Sequence, residues 1–203
     1  MTVRLIIYDI PKSYMKRLVI GISGASGIPL AIGVLQALKE IPDWNSCLVI
    51  SRGGEKTIEM ESKYTVEEVK AMADEVYDNS NIGAAIASGT FKTEGMVVVP
   101  CSMKTLSGIA NGYSDTLLLR AADVILKERR KLILVARETP FNTIHLRNML
   151  SLSEMGAVIM PPMQTYYNHP KTVQDMIDHM TGKILDSFGI EFHKFRRWNP
   201  DNQ

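Results

Sequence analysis

The chain has 203 residues, with 23 lysines and arginines against 22 aspartates and glutamates, and its formal net charge is +1. This near balance argues against a dedicated nucleic-acid-binding protein, which carries an overall basic field. No apolar run reaches the ~18 residues of a membrane span, and the two widely separated cysteines favour buried, reduced thiols over a disulfide or metal framework. We therefore expect a cytoplasmic protein that binds neither nucleic acid nor membrane and holds no metal ion.

The N-terminal residues 1–14, MTVRLIIYDIPKSY, lack the long apolar core and small-residue cleavage site of a signal peptide. We interpret them as an extension whose origin stays open: a natural extension, an upstream start or a cloning remnant. The rest of the chain is long enough to bury roughly 70% of its unfolded surface and leaves little room for a second domain. The expected organisation is an extension at 1–14, one α/β domain at 15–198 and a C-terminal tail at 199–203.

Strand-like apolar runs alternate with helix-like stretches throughout this domain. The strand-like runs are Arg17–Ile22, Cys47–Ser51, Met96–Pro100, Leu132–Ala136 and Ala157–Met160. The helix-like stretches are Ile28–Glu40, Gly54–Glu61, Val66–Ala73, Lys104–Ala110, Asp115–Lys127, Thr143–Glu154 and Thr172–Phe188. This order predicts a parallel sheet with helices on both faces, and ligands of such sheets bind beyond the carboxyl ends of the strands.

The first strand-like run leads into a glycine-rich turn, SGASG, which precedes a helix-like stretch. Gly24 and Gly27 permit a positive φ and a close approach to a ligand, and the free N–H groups of the following helix favour an anion. Ser23 and Ser26 add hydroxyl groups at the same corner. The turn therefore predicts a phosphate cradle, although NAD, FMN, a sulfate or no ligand at all would fit the turn alone.

A nicotinamide-dependent dehydrogenase is the first alternative, and three features count against it. The glycine pattern runs directly into Pro29, and Ser51 ends the second strand where a ribose-binding acidic residue would be expected. The Tyr-x-x-x-Lys spacing from Tyr167 to Lys171 needs a helix, which Pro170 disfavours.

The third strand-like run ends in a second polar corner, Ser102-Met103-Lys104-Thr105. Ser102 and Thr105 can cap a helix start, while Lys104 supplies a cation. Such a corner suits a phosphate or the edge of a flavin.

Two charged groups follow further along the chain. Arg120, Asp123 and Lys127 have helical spacing and share one helix face, an arrangement that an ordinary ion-pair stripe also explains. Arg137 and Glu138 follow the fourth strand-like run, where a partly desolvated pocket can tune a carboxylate. A purely structural Arg–Glu pair is the alternative there.

From about Met15 to Trp198 the sequence resembles the UbiX-type flavin prenyltransferases, a family that includes small subunits of hydroxyarylic acid decarboxylase systems. The resemblance rests on ISGASG, CSMKTLSGIA, LLRAADVILKERRKLILVARETP, IHLRNMLSLSEMGA and PPMQTYYNHPKTVQDMIDHMTGKILDSFGI, in this order. It implies a three-layer, parallel-sheet α/β flavoprotein of Rossmann-like or flavodoxin-like type that assembles as a homododecamer. It also implies a metal-independent reaction of reduced FMN with dimethylallyl phosphate, in which bonds form at flavin N5 and C6. The implied product is prenylated FMN, the cofactor of UbiD-type decarboxylases.

The resemblance also assigns roles to individual residues. FMN is expected against Gly24, Ala25, Ser26, Ser51, Ser102, Met103, Lys104, Thr105 and Arg137. The allylic phosphate is expected against Tyr167, Lys183, Arg120 and Lys127. The implied catalytic residues are Glu138, Ser26, Lys127 and Glu61. Glu138 would shuttle the proton from flavin C6, Ser26 would orient flavin N5, and Lys127 would stabilise the leaving phosphate. The resemblance leaves room for some of these residues to act across a subunit boundary.

The chain departs from the family pattern at two places near its C-terminal end. Lys183 stands where many relatives carry arginine, which keeps the charge but loses the planar two-pronged donor. Gln164 and Thr165 replace a common Pro-Ala pair. Aromatic side chains are expected to wall the prenyl pocket, with Tyr166, Tyr167 and Trp198 as the candidates. Core or interface packing is the alternative, above all for Tyr166 and Trp198. The four histidines, His145, His169, His179 and His193, show no metal-ligand spacing with the cysteines. His145 lies in a helix-like stretch, where packing or a surface position is expected.

Two alternative functions remain open at this stage. One is an FMN-dependent peptidyl-cysteine decarboxylase of the related fold, although that family uses an early histidine and an Asn-containing motif where this chain reads PCSMKT. The other is a non-catalytic, flavin-carrying subunit of a hydroxyarylic acid decarboxylase.

Overall fold

The computed structural model describes residues 15–195 and 197–198, and within them six parallel strands form a single sheet. The strands are β1 Lys16–Ile22, β2 Trp44–Ile50, β3 Glu75–Tyr77, β4 Gly95–Cys101, β5 Lys131–Ala136 and β6 Val158–Ile159, arranged in the order β3-β2-β1-β4-β5-β6. The chain builds the sheet outward from β1 in one direction and then crosses to β4 on the other side. The carboxyl edge between β1 and β4 is therefore the topological switch point, where parallel sheets bind ligands. The predicted extension at 1–14 and the predicted tail at 199–203 lie outside the described residues.

Seven α-helices cover this sheet within the described range. They are α1 Ile28–Lys39, α2 Arg52–Glu61, α3 Val66–Lys70, α4 Met103–Ala110, α5 Leu117–Lys127, α6 Thr143–Glu154 and α7 Val173–Asp186. None of them is long and apolar enough to cross a membrane. The predicted three-layer α/β fold is confirmed.

Both faces of the sheet are buried, which explains why the central strands are almost continuously apolar. Leu18 and Ile20 of β1 pack in the cluster that includes α1 and α7, whereas Val19 between them packs in the cluster that includes α4 and α5. Since alternate residues of a strand face opposite sides, one short strand contributes to both cores.

The sequence did not predict β3. Only three residues form it, Glu75 to Tyr77, and they pair with Cys47 to Val49 of β2. A three-residue strand with one aliphatic side chain gives no periodic signal of its own, because its extended state depends on the neighbouring strand. Asp74 supports this pairing by accepting hydrogen bonds from the backbone N–H and the hydroxyl of Ser46, both at 2.8 Å.

Candidate active site

Ser23 joins the ends of β1 and β4 at the switch point. Its buried hydroxyl donates to the Pro100 carbonyl at 3.0 Å and accepts the backbone N–H of Ser102 at 2.8 Å. The glycine-rich turn and the start of α4 are therefore held in a fixed relation by one side chain.

The turn passes unusually close to the N-terminal end of α2. A Cβ atom on Gly24 would lie 3.0 Å from Cα of Gly53, so that a larger residue would push two backbones apart. Of the two glycines that permit a positive φ in this turn, Gly27 has one, at 125°. Gly24 is explained instead by the approach of the α2 backbone.

The carboxylate of Glu61 lies at the N-terminal end of α1. Its Oε2 atom accepts the backbone N–H groups of Gly27 at 2.8 Å and of Ile28 at 3.1 Å. Burial raises the pKa of Glu61, but the hydrogen bonds from Ser26, Gly27 and Ile28, together with nearby Arg137, outweigh burial and hold the pKa below its usual value. Glu61 is thus an ionised carboxylate.

This arrangement corrects the predicted phosphate cradle at the start of α1. The N–H groups of Gly27 and Ile28 already bind Glu61, because a side-chain carboxylate satisfies a helix N-terminus as a phosphate would. These two N–H groups are therefore not free to bind a phosphate.

Two further serines begin helices at the same edge of the sheet. Ser51 caps α2 by accepting the backbone N–H of Gly54 at 3.1 Å. Ser102 caps α4 by accepting the backbone N–H of Thr105 at 3.2 Å, as the sequence predicted for Ser102. Thr105 lies inside the first turn, where its hydroxyl accepts a hydrogen bond from Ser102 at 3.1 Å.

The largest of three neighbouring cavities, the polar cleft, has a volume of about 820 Å³. Six of the residues predicted to contact FMN line it: Gly24, Ser51, Ser102, Met103, Lys104 and Thr105. Its volume lies within the ~300–1,000 Å³ usual for cofactor-sized ligands. Backbone groups at two helix starts, serine and threonine hydroxyls and one lysine suit a phosphorylated flavin.

A smaller space of about 260 Å³, the junction cavity, adjoins the polar cleft. Ala25, Ser26, Glu61, Arg137 and Glu138 line it. The structure therefore brings three of the four predicted catalytic residues to one place, next to a predicted flavin ligand, Arg137. Lys127, the fourth, is not among them.

The third space, the apolar cavity, measures about 490 Å³ and lies between the start of α1 and α7. It shares Ser26, Glu61 and Arg137 with the junction cavity. Apart from Gln164, its remaining wall is apolar and methionine-rich and includes Leu30, Val173, Met176, Ile177 and Met180.

The aromatic side chains predicted to wall this pocket are placed differently. Tyr166, Tyr167 and Trp198 do not line any of the three cavities in the described part of the chain. Tyr167 instead packs edge-to-face against Trp198, with ring centroids 5.2 Å apart, and against His179 at 6.0 Å. In the single chain Tyr167 and Trp198 thus pack on each other, which is the packing alternative for Trp198, and the aromatic wall stays a prediction.

The other predicted phosphate ligands also lie outside the three cavities. Arg120 pairs with Asp123 at 2.6 Å, as the ion-pair alternative predicted. Lys127 pairs with Glu128 and lies next to Gly89, in the loop that precedes β4. Since α5 runs antiparallel to the strands, Lys127 lies near the amino edge of the sheet. Lys183 is exposed on the last turn of α7.

Sequence reasoning overlooked Asn79, which lines the polar cleft. Its carbonyl accepts the backbone N–H of Leu117 at 2.9 Å, and its Oδ1 accepts the backbone N–H of Leu118 at 3.0 Å. Asn79 therefore caps α5 from a distant loop. No local pattern could reveal this role, because the residue lies almost forty positions before the helix that it caps.

The cysteines behave as predicted. Cys47 and Cys101 are free and buried. Burial is the main cause that raises the pKa of Cys47 to about 12, and burial also raises the pKa of Cys101. Within the described residues no group of three or more acidic, histidine or cysteine side chains is arranged to hold a metal ion.

Comparison with known proteins places this geometry among flavoproteins. The family model described as Flavoprotein matches residues 11–185. A UbiX-like flavin prenyltransferase of Sedimentibacter hydroxybenzoicus is 54% identical over 182 residues, which cover 90% of this chain and 96% of that protein.

Solved structures agree with the sequence match. A dodecameric FMN-dependent UbiX-like decarboxylase from Escherichia coli O157:H7 has a TM-score of 0.89 at 51% identity and covers 90% of this chain and 99% of its own. AnUbiX (PadA1), in complex with FMN and dimethylallyl pyrophosphate, has a TM-score of 0.90 at 46% identity. The match covers 91% of this chain and 98% of AnUbiX. The peptidyl-cysteine decarboxylase EpiD shares the fold alone, with a TM-score of 0.58 at 20% identity over 74% of this chain and 83% of its own.

Proposed function

The chain belongs to the UbiX-like flavin prenyltransferases of the flavoprotein family, and from this premise we propose that it transfers a dimethylallyl group from dimethylallyl phosphate to N5 and C6 of reduced FMN. The observation that carries the proposal is the junction cavity. It adjoins the polar cleft, suited to FMN, on one side and the apolar cavity on the other, and it holds Ser26, Glu61, Arg137 and Glu138 together.

FMN is best accommodated in the polar cleft, where Ser51, Ser102 and Thr105 present hydroxyls and Lys104 presents a cation. Reduced FMN supplies the two nucleophilic ring atoms of the reaction. The capped start of α4 gives this side of the cleft a rigid backbone, because Ser23 fixes the N–H of Ser102. Such preorganised donors bind and orient a ligand without rearranging.

Arg137 is the cation that the chain itself supplies at the junction. Its side chain lines both the junction and apolar cavities, where it can stabilise charge that develops on the leaving phosphate. Ionised Glu61 lies near Arg137 and accepts a hydrogen bond from Ser26. We assign Glu61 the role of orienting these two side chains, with the Ser26 hydroxyl directed towards flavin N5.

Glu138 is the proposed proton acceptor. It lines both the polar cleft and the junction cavity, and its Oε1 atom accepts the neighbouring Thr139 N–H at 3.0 Å. A carboxylate shared by the two spaces is suited to take the proton from flavin C6 once the second bond forms. The departing phosphate is the competing base.

The remaining predicted phosphate ligands, Arg120, Lys127, Tyr167 and Lys183, require a further element. We propose that neighbouring copies of the chain bring them to the junction cavity in a homododecamer. The support is that none of the four lines any of the three cavities in the described part of one chain, together with the dodecameric state of the relative from Escherichia coli O157:H7.

The biological setting is part of the same proposal. The product would serve a UbiD-type decarboxylase as its prenylated flavin cofactor. A cytoplasmic location is supported by two free, buried cysteines. The flavin-binding domain is proposed to span 15–198, with the extension at 1–14 and the tail at 199–203 outside it.

The test is anaerobic incubation of the purified protein with reduced FMN and either dimethylallyl phosphate or dimethylallyl pyrophosphate, followed by mass spectrometry of the extracted flavin. The expected result is a mass gain of one C5 prenyl unit. Bound but unmodified FMN with both donors, in the presence of an active control enzyme, would support the flavin-carrying alternative instead. Loss of CO₂ from a cysteine-terminated peptide would support the peptidyl-cysteine decarboxylase alternative.

A further inference from the structure

His179 lies on α7 with 5% of its surface exposed, between two aromatic rings. The Tyr167 ring meets it edge-to-face at a centroid distance of 6.0 Å, and the Phe195 ring does so at 5.7 Å. His179 therefore joins three segments: the loop before α7, α7 itself and the C-terminal segment. One of the residues that it packs against, Tyr167, is a proposed phosphate ligand.

A polar contact reinforces this packing. The amide nitrogen Nδ2 of Asn168, the residue after Tyr167, lies 3.4 Å from Nδ1 of His179. An amide nitrogen donates, so when Nδ2 pairs with Nδ1 the histidine ring is the acceptor, neutral and with its proton on Nε2. Oδ1 of Asn168 is buried without a hydrogen-bond partner within the described structure. The side chain is thus held against His179 and not turned outward to solvent.

Charge near the ring supports the same protonation state. Burial is the first cause that holds the pKa of His179 below its usual value, and Lys183, one helical turn further along α7, is the second. The group facing the ring from the preceding loop is the Tyr167 phenol, while Phe195 brings no charge from the C-terminal side.

Arg197 lies further along that C-terminal segment, where Asp186 neutralises it through a two-pronged ion pair with both distances at 2.6 Å. Protonation of His179 would therefore place a second positive charge beside Lys183.

We propose that His179 is a positioning residue for the prenyl donor. Its neutral ring holds Tyr167 and Asn168 against α7, so that the Tyr167 hydroxyl and the Lys183 ammonium are kept on one side of that helix for the allylic phosphate. The inference rests on the proposed function, because Tyr167 and Lys183 act as phosphate ligands only within it.

Two variants separate the ring from its hydrogen bond. His179→Phe keeps an aromatic ring but cannot accept from Asn168, and His179→Gln keeps a polar acceptor but loses the ring. We expect KM for dimethylallyl phosphate to rise about 3- to 10-fold in His179→Phe, the change expected for loss of one hydrogen bond. KM for reduced FMN should stay unchanged. His193→Gln, an exposed site, is the control.

The pH dependence gives a readout that a merely structural residue would not give. Lowering the pH from about 7.5 to 5.5 should raise the donor KM of the wild-type protein, because the charged ring repels the Asn168 amide. The donor phosphate titrates in the same range, but its titration is common to both proteins. If His179 causes the pH dependence, the ratio of the donor KM of the wild-type protein to that of His179→Phe should therefore change with pH.

The outcomes distinguish the inference from the function on which it rests. A wild-type protein that prenylates FMN, with donor KM and its pH dependence unchanged in His179→Phe, overturns the positioning role. A wild-type protein that prenylates nothing overturns the proposed function. If neither variant folds, NMR spectroscopy of the wild-type protein provides the test. The Cε1–H resonance of His179 should shift on donor binding, and an unchanged resonance would contradict the inference.

Discussion

Glu61 Oε2 lies 2.8 Å from the backbone nitrogen of Gly27, so that the last residue of α2 closes the N-terminus of α1. A residue 34 positions away thus completes the glycine-rich turn. The turn is therefore a structural corner as well as a ligand site. Its Ser26 hydroxyl takes part in the same contact, which connects the shape of the turn to the proposed chemistry.

Glu61→Gln should destabilise the protein by about 1–2 kcal/mol. The amide keeps a hydrogen-bond acceptor but loses the negative charge that interacts with the helix N-terminus and Arg137. Urea unfolding measures the change. Glu59→Gln, an exposed site on the same helix, is the matched control and should lie within about 0.5 kcal/mol of wild type. Equal stabilities for the two variants would contradict the assigned contact.

The stability difference between wild type and Glu61→Gln should also depend on pH. The pKa of Glu61 is lowered in the folded protein, so its contribution is fully present above the ordinary value of 4.5. It is lost as the pH falls from there through the lowered folded pKa. Unfolding at fixed temperature between about pH 6 and pH 3 should show the two proteins converging at the acid end. Curves that stay parallel over this range would argue against an ionised Glu61.

Ser23→Ala should cost about 2 kcal/mol, although it removes only one oxygen atom. The change leaves the Ser102 N–H without its buried partner. It also removes one of two hydrogen bonds to the Pro100 carbonyl, which keeps the backbone N–H of Ser23 at 3.2 Å. The affinity for FMN should also fall, because the first turn of α4 faces the polar cleft. Equilibrium unfolding and flavin titration measure the two effects. Ser153→Ala, exposed on α6, should change neither.

Asn79→Ala should destabilise the protein by about 1 kcal/mol by removing the side-chain cap of α5. Asn79→Asp keeps the acceptor oxygen and adds a charge that the helix N-terminus favours, so it should restore stability. Thermal unfolding separates the two variants. An alanine variant as stable as the aspartate variant would show that the Asn79 backbone carbonyl is sufficient for this end of α5.

The parts of the site that lie next to a strand end could be predicted from the sequence. Ser51 and Ser102 follow apolar runs directly, and the carboxyl ends of parallel strands meet at one edge, so their proximity required only the fold class. Contacts that depend on tertiary approach could not be predicted. Glu61 reaches Gly27 and Asn79 reaches Leu118 across long separations that leave no local pattern.

Lys127 illustrates a different limit. Helical spacing places Arg120 and Lys127 on one face of α5, but seven residues also separate them by roughly 10 Å along the axis. The two side chains therefore lie on the same face of α5 but at different ends of the helix. Lys127 lies by the loop that precedes β4. Its predicted catalytic role therefore depends on the proposed assembly of several chains.

Glu138→Gln is the most direct test of the proposed chemistry. If Glu138 accepts the proton from flavin C6, the rate of complete prenylation should fall by about 10²- to 10⁴-fold, the usual contribution of a general base. The KM values for reduced FMN and the donor should change little, because the amide is nearly isosteric with the carboxylate. A rapid-quench experiment with mass spectrometry gives the rate, and reaction in deuterated buffer tests whether proton transfer limits it. Glu154→Gln, exposed at the end of α6, is the control and should match wild type. An unchanged rate in Glu138→Gln would contradict its role as the base and favour the departing phosphate, which is the competing base.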